Sequence, residues 1–319
     1  MFDPYARIEL KTRMAARSST TPIRAAPPQV TRPNAWHPGN RSHATEEPAL
    51  TLSVVVPVYN ELPTLPWILR SVILELPTVK KQIVIVDDCS TDGSREWLQE
   101  HFPSGERQVV AIGFDPEGQP AFVTARCDQP EPRGRGPADI ERPVVETSVT
   151  VLLHERNIGK GGALRTGFAR VRGDVVVIQD ADLEYDPADL EPMLQLITSN
   201  VADVVYGSRF YGNPHRSFYY HHYLGNRLIC LFFNLLYNQT LSDIEVCYKM
   251  FRREVLDSVS LTCRDFGFEV EFSASVVKSR RWRIYEIGIS YYGRGYEGGK
   301  KITWRDGVRA LWYIVKFRF

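Results

Sequence analysis

A chain of 319 residues, 43% hydrophobic and 24% charged, is long enough to bury one sizeable core and reads as a globular protein with attachments. Its formal net charge of +1 supplies no global basic field, which argues against nucleic acid as a partner. Five cysteines, Cys89, Cys127, Cys230, Cys247 and Cys263, show no CxxC or other metal-like spacing, so reduced thiols in a cytoplasmic setting are expected.

Residues 1–48 mix Arg, Pro, Ser and Thr without apolar periodicity and read as a disordered tail. The opening is poor in acids, which faintly resembles a transit peptide, but it lacks the continuous apolar region of a secretory signal. From Leu52 the texture changes. TLSVVVPVYN is a β-branched run closed by turn residues, and QIVIVDD repeats it from Gln82. Between them Leu65, Ile68, Leu69, Val72 and Ile73 keep helical spacing, giving a βαβ unit. From His101 to about Glu146 the pattern lapses into Gly, Pro and charge, and 101–146 is expected to be a flexible insertion.

Further strands are predicted at Val149–Leu153, Val175–Gln179 and Asp203–Tyr206, with helices over GGALRTGFARV and Leu190–Ile197. Continuous rather than alternating apolar strands imply a parallel sheet covered on both faces. LGNRLICLFFNLLYN, from Leu224 to Asn238, is shorter than the roughly 18 residues that suggest a spanning helix, and is expected to be buried or interfacial. Residues 303–319 form an amphipathic helix, with Trp304, Val308, Leu311, Trp312 and Val315 on one face and Arg305, Arg309 and Lys316 largely on the other. Either a helix lying among lipid headgroups or an ordinary core helix fits that pattern.

In an open parallel sheet, ligands bind beyond the carboxyl ends of the strands. Each predicted strand here ends in polar chemistry: Pro57 to Glu61, Asp87 to Gly93, Glu155 to Gly162, and the Asp180-Ala181-Asp182 that follows VVVIQ. Singly, a DxD, an Asp-Gly turn or a Ser-Thr-Asp cap is ordinary loop chemistry. GKGG is not a P-loop, because His154 and Gly161 stand where Gly and Ser or Thr are required, and no GxGxxG follows the first strand.

In order, SVVVPVYNE, IVIVDDCSTDGS, ERNIGKGGALRTGF, VIQDADLEYDP, VVYGSRF and YYGRGYEGGKK closely resemble glycosyltransferase family 2, and within it the polyprenyl- or dolichyl-phosphate mannose or glucose synthase type. The resemblance covers roughly Leu52 to Phe319. It implies the GT-A fold, a Rossmann-like α/β domain over residues 49–319 with a mostly parallel central sheet flanked by helices and the amphipathic helix at the end. It further implies that Pro57, Tyr59, Glu61, Asp88 and Asp92 wall a nucleotide pocket, with Gly159, Lys160, Gly161 and Glu184 also on the nucleotide sugar. Asp180 and Asp182 match the family's DxD, which holds Mg²⁺ or Mn²⁺ against the diphosphate; hard cations take such oxygen ligands. Asp186, beside Pro187, reads as a helix cap.

By the same resemblance Arg209, Arg216, Arg294 and Lys300 hold donor and acceptor phosphates, and the catalytic set is Asp180, Asp182, Arg209, Arg294 and Asp243. The expected reaction is inverting, metal-dependent transfer of a sugar, a hexose, from a UDP- or GDP-sugar to a polyprenyl or dolichyl phosphate. Several relatives carry transmembrane helices after this point; here a peripheral contact at the cytoplasmic face, or a membrane-protein partner, is the expectation. The alternatives are a soluble transferase with a hydroxyl acceptor, for which Asp243 or Glu245 is the candidate base, and a non-catalytic nucleotide-binding protein. A processive synthase is disfavoured, since Lys278 stands where QxxRW has Gln before Arg281-Trp282. The adjacent His221 and His222 point in different directions on a helix and form no metal site. Deleting residues 1–48 is expected to leave transfer in vitro intact; a collapse of activity in the truncated protein would contradict the reading of that segment as dispensable.

Overall fold

The computed structural model describes residues 50–115, 118–126, 146–211, 220–293 and 304–319. In chain order, its first half comprises β1 (Thr51–Val58), α1 (Leu65–Leu74), β2 (Lys80–Asp87), α2 (Ser94–His101), β3 (Glu106–Phe114), β4 (Pro120–Arg126), β5 (Thr147–Leu153) and α3 (Lys160–Phe168). The second half comprises β6 (Val175–Ile178), α4 (Leu190–Thr198), β7 (Val204–Ser208), α5 (Tyr220–Tyr237), β8 (Lys249–Arg252), α6 (Phe268–Ser279), β9 (Ile284–Gly288) and α7 (Trp304–Arg318).

The β-branched runs fill the centre of one sheet, ordered β4-β3-β5-β2-β1-β6-β8-β7-β9. Strands β5, β2, β1 and β6 are mutually parallel, with Leu52 opposite Lys81 on one side and Val175 on the other. Val54, Val55, Ile83, Ile85, Val176 and Val177 are wholly buried, as a sheet covered on both faces requires. Only β3 and β8 run against the other described strands. The expected α/β architecture with a mostly parallel sheet and a C-terminal helix is therefore present.

The stretch expected to be a flexible insertion differs from that reading. Part of it, β3 and β4, is an antiparallel hairpin that extends the sheet beyond β5. Its inner face carries the buried Val109, Ile112 and Phe122, and the Phe122 ring stands 5.3 Å from Phe102 and 5.8 Å from Trp97. The turn is closed by Gly118, at φ 79, whose N–H donates to the Asp115 carbonyl. Strand β3 does carry an apolar run, VVAIGF from Val109 to Phe114, and the Gly, Pro and charged residues around it outweighed that signal in the sequence. Residues 127–145 of the same stretch, and the tail 1–48, lie outside the described residues.

Two helices lie side by side at the other end. On α5, Ile229, Cys230, Phe233 and Tyr237 are buried, while Leu224, Leu228, Leu231 and Leu235 are exposed. On α7, Ala310 and Ile314 face inward, and Tyr237 donates its hydroxyl to the Ile314 carbonyl at 2.9 Å. Val308, Leu311, Trp312 and Val315 thus face outward, so the apolar stripe read from the sequence is not the face that packs on the core. The side chains of Trp304 and Arg305 lie outside the described set. No helix among the described residues is long and apolar enough to cross a membrane.

Replacing the wholly buried Ile85 of β2 with alanine is expected to cost about 2–5 kcal/mol through lost burial and an unfilled cavity. Urea unfolding checks this: a shifted midpoint at unchanged slope is the expected outcome.

Candidate active site

The carboxyl ends of β1, β2 and β6 open into a cavity of about 420 Å³, which also takes residues from α3, α6 and α7. Its wall is set by two loops hydrogen-bonded to each other. Asn60, at φ 55, donates its N–H to the Ser90 hydroxyl at 3.0 Å and accepts from the Thr91 N–H at 2.8 Å. Glu61 N–H donates to Ser94 Oγ, and Leu62 N–H to Asp92 Oδ2. Asp92 also accepts from the Ser94 N–H and hydroxyl; burial works against its charge, but these hydrogen bonds hold its carboxyl below the usual range. Asp92 therefore braces the loops and does not line the cavity, whereas Pro57, Tyr59, Glu61 and Asp88 do.

Asp88 collects the segment before α3. Its carboxylate accepts from the Ile158 N–H at 2.9 Å and the Gly159 N–H at 2.7 Å, and His154 Nδ1 stands 2.7 Å away. Gly159 sits at φ 87, and a Cβ there would lie 2.2 Å from the Arg264 carbonyl oxygen, so only glycine fits. Gly161 packs against the Cys263 carbonyl and does not line the cavity.

Along the cavity floor, opposite charges alternate. Lys160 Nζ lies 2.9 Å from Asp180 Oδ1 and 3.3 Å from Glu269 Oε1; the other Glu269 oxygen accepts from Lys249 Nζ at 2.6 Å. Lys249 is fully buried, also donates to the Val246 carbonyl and lies over the Tyr206 ring. Burial alone would push the Lys160 ammonium down, but Asp180, with Cys247 and Glu269, holds it well above the usual range. Sequence reading missed Glu269 and Lys249; the signal available was a lysine inside the apolar run CYKMF, which burial permits only with a counter-charge.

Asp182 accepts the Glu184 N–H at 3.1 Å, and Leu183 between them takes φ 59, a left-handed conformation unusual for a bulky residue. Glu184 accepts from Tyr291 Oη at 3.0 Å, and its carbonyl accepts the Tyr292 N–H. Asp186 caps the turn Pro187–Asp189 as read, accepting from the Ala188 N–H. No group of three or more metal-ligating side chains occurs among the described residues. Two carboxylates nonetheless suit a hard cation whose remaining ligands are water and substrate oxygens.

On the far wall Arg209 donates through Nε and Nη2 to Asp243, at 2.6 and 2.7 Å, a bidentate pair completed by Asn226. Burial opposes the guanidinium charge, and Asp243 more than offsets it. Asp243 itself is fully buried and does not line the cavity, so it holds Arg209 in place and is not positioned as a base. Glu245, two residues on, does line the cavity. Arg216, Arg294 and Lys300 lie outside the described residues, as do the His221 and His222 side chains. Cys230, Cys247 and Cys263 are buried and free and Cys89 is half-buried and free; Cys127 is outside the described set.

A family model described as Glycosyl transferase family 2 matches residues 53–117 and 139–260, more than half of the chain, and skips β4 of the hairpin. The low-salt glycan biosynthesis hexosyltransferase of Haloferax volcanii is 29% identical over 169 residues, 52% of this chain and 40% of that protein. Undecaprenyl-phosphate 4-deoxy-4-formamido-L-arabinose transferases are 26% identical in Yersinia enterocolitica, over 73% of this chain and 58% of the relative, and 24% in Proteus mirabilis, over 85% and 69%. The chain thus spans 40% and 58% of the length of the first two relatives. The solved structure of glucosyl-3-phosphoglycerate synthase from Mycobacterium tuberculosis, with Mn²⁺, uridine diphosphate and phosphoglyceric acid, has the same fold: TM-score 0.55 at 15% identity, covering 84% of this chain and 78% of that one.

Asp243→Asn leaves the buried Arg209 charge uncompensated and is expected to cost about 3–5 kcal/mol of stability. Denaturant unfolding checks this; lost transfer at unchanged stability would instead make Asp243 a chemical participant.

Proposed function

The chain belongs to glycosyl transferase family 2, and from that premise we propose that it moves a sugar, a hexose, from a UDP- or GDP-sugar to a polyprenyl or dolichyl phosphate. Transfer is inverting, uses Mg²⁺ or Mn²⁺ at Asp180 and Asp182, and takes place at the cytoplasmic face of a membrane, by peripheral contact or through a membrane-protein partner. The observation that carries this reading is one cavity in which Asp180 and Asp182 share the walls with Arg209 and with α7, whose opposite face is apolar and exposed. The relatives named undecaprenyl-phosphate transferases support the acceptor class.

On this reading Tyr59, Glu61 and Asp88 contact the nucleoside, and the Gly159 turn lets the backbone approach it closely. The divalent cation, when bound, neutralises charge on the departing diphosphate. Lys160 holds Asp180 in place through their ion pair. Arg209, locked by Asp243, presents a guanidinium of fixed orientation to a phosphate oxygen. Acceptor oxygen attacks the anomeric carbon, the bond to the diphosphate breaks, and the electron pair leaves with the nucleoside diphosphate. Since a phosphate monoester is already anionic, positioning and charge stabilisation account for most of the rate. Arg294, Arg216 and Lys300 belong to the same phosphate set. Trp312, with Lys316 over its ring at 5.0 Å, suits a helix resting among headgroups.

The test is a transfer assay with a short polyprenyl phosphate and labelled nucleotide sugars, in Mn²⁺, Mg²⁺ or EDTA. Label is expected in the lipid phase, abolished by EDTA and reduced about 10²-fold or more in Asp182→Ala. Label on a hydroxyl compound and none on lipid would replace the acceptor class.

A further inference from the structure

The carboxylates that line the cavity are almost all committed. Asp88, Asp180, Asp182, Glu184, Asp265 and Glu269 each have a partner described above or, for Asp265, the Tyr313 hydroxyl at 2.9 Å. Glu245 also lines the cavity, yet takes no hydrogen bond or ion pair among the described residues. The cations at the cavity are equally committed: Lys160 to Asp180 and Glu269, the fully buried Lys249 to Glu269, Arg209 to Asp243. An ionised Glu245 would therefore set an unpaired negative charge in the space where phosphate oxygens must go. A neutral Glu245 would instead offer an O–H donor there.

We propose that Glu245 recognises phosphate as a protonated carboxyl, donating its O–H to a phosphate oxygen, so that filling the cavity with a phosphate ligand draws a proton from solvent onto whatever fraction of Glu245 is ionised in the free protein. This rests on the reading of the cavity as a phosphate site. The charged and titratable groups that act electrostatically on Glu245 include Arg209 after β7, Asp243 on its own segment, Glu269 of α6, Lys249 of β8 and the Cys230 thiol of α5. Burial pushes its carboxyl up to about 7; Arg209 and Lys249 pull it down, and Asp243 and Glu269 add to the rise. A phosphate beside it is one more like charge and raises it further, so free Glu245 is partly ionised near neutrality and bound Glu245 is neutral.

Two ligands share this chemistry, the diphosphate of the donor and the phosphate of the acceptor. Titration calorimetry of the full chain separates them, using UDP or GDP in one arm and a water-soluble short-chain prenyl phosphate in the other, each in buffers of different ionisation enthalpy. For the ligand that meets Glu245, uptake of about half a proton is expected at pH 7, vanishing near pH 5.5. Glu245→Gln keeps a donor without a titrating proton: it should bind that ligand at pH 6 as the wild type does and lack the uptake. Between pH 6 and 8.5 the wild type should lose on the order of tenfold more affinity than this variant. Glu245→Ala should bind more weakly at every pH. Binding without proton uptake, or uptake that persists in Glu245→Gln, would overturn the role of Glu245 alone. Normal binding by Glu245→Gln with abolished transfer and no uptake in the wild type would make Glu245 a base instead and overturn the proposal. Absence of binding by either ligand at pH 6 would overturn the phosphate reading of the cavity itself.

Discussion

The rule that a buried charge must be paired organises this molecule. Lys249 on β8 is wholly buried, and Glu269 on α6 faces both it and Lys160 on α3, which in turn holds Asp180 at the end of β6. Two pairs of elements, each pair about 20 residues apart within itself and the two pairs well separated, meet in one line of alternating sign. Removing any member strands a charge in a medium where desolvation costs several kcal/mol, so the members are mutually dependent. That dependence holds Asp180 at the cavity floor through Lys160, while the neighbouring Asp182 is set by the Glu184 N–H across the left-handed Leu183.

Above this line the construction is lighter. The loops after β1 and β2 are held by small polar side chains, Asn60, Ser90, Asp92 and Ser94, whose short reach demands close approach of the two backbones. Asp87 adds a firmer tie, accepting from Arg95 Nε at 2.8 Å while the same guanidinium also donates to the His154 carbonyl. Carboxylates of one motif thus divide between work inside the scaffold and exposure to the cavity. Asp87 and Asp92 brace; Asp88 braces with three contacts and still lines the space.

Much of this was legible in the sequence because the central strands are apolar on both faces and stop abruptly at polar residues. Strand β1, strand β2, the turn into α3 and the Asp180 to Asp186 loop all stand within a few residues of where periodicity and turn chemistry predict them. The rest was hidden for physical reasons. Strand β8 spans four residues and includes two charges, so neither length nor hydropathy marks it. Helix α6 begins FEVEF, an alternation that imitates a strand; its Glu271 is spent accepting the N–H groups of Thr262 and Cys263 at 2.8 and 2.9 Å. The outward stripe of α7 was visible as a stripe, but periodicity alone cannot say which side of a helix meets the core. Pairing of Asp243 with Arg209, 34 residues apart, needed three dimensions.

The placement of β1 bears on how the chain reaches this state. Its second neighbour, β6, follows more than a hundred residues later, with Leu52 pairing with Val175, so the middle of the sheet stays half-made until all the intervening residues have been synthesised. Loop-closure entropy is paid before those contacts return anything, which makes such topologies slow to fold and exposes strand edges meanwhile. The cavity wall comes later still, because Tyr313 of α7 docks on Asp265 and stacks against Gly267. On a growing chain the scaffold therefore precedes the cavity, whose wall is complete only once α7 has docked.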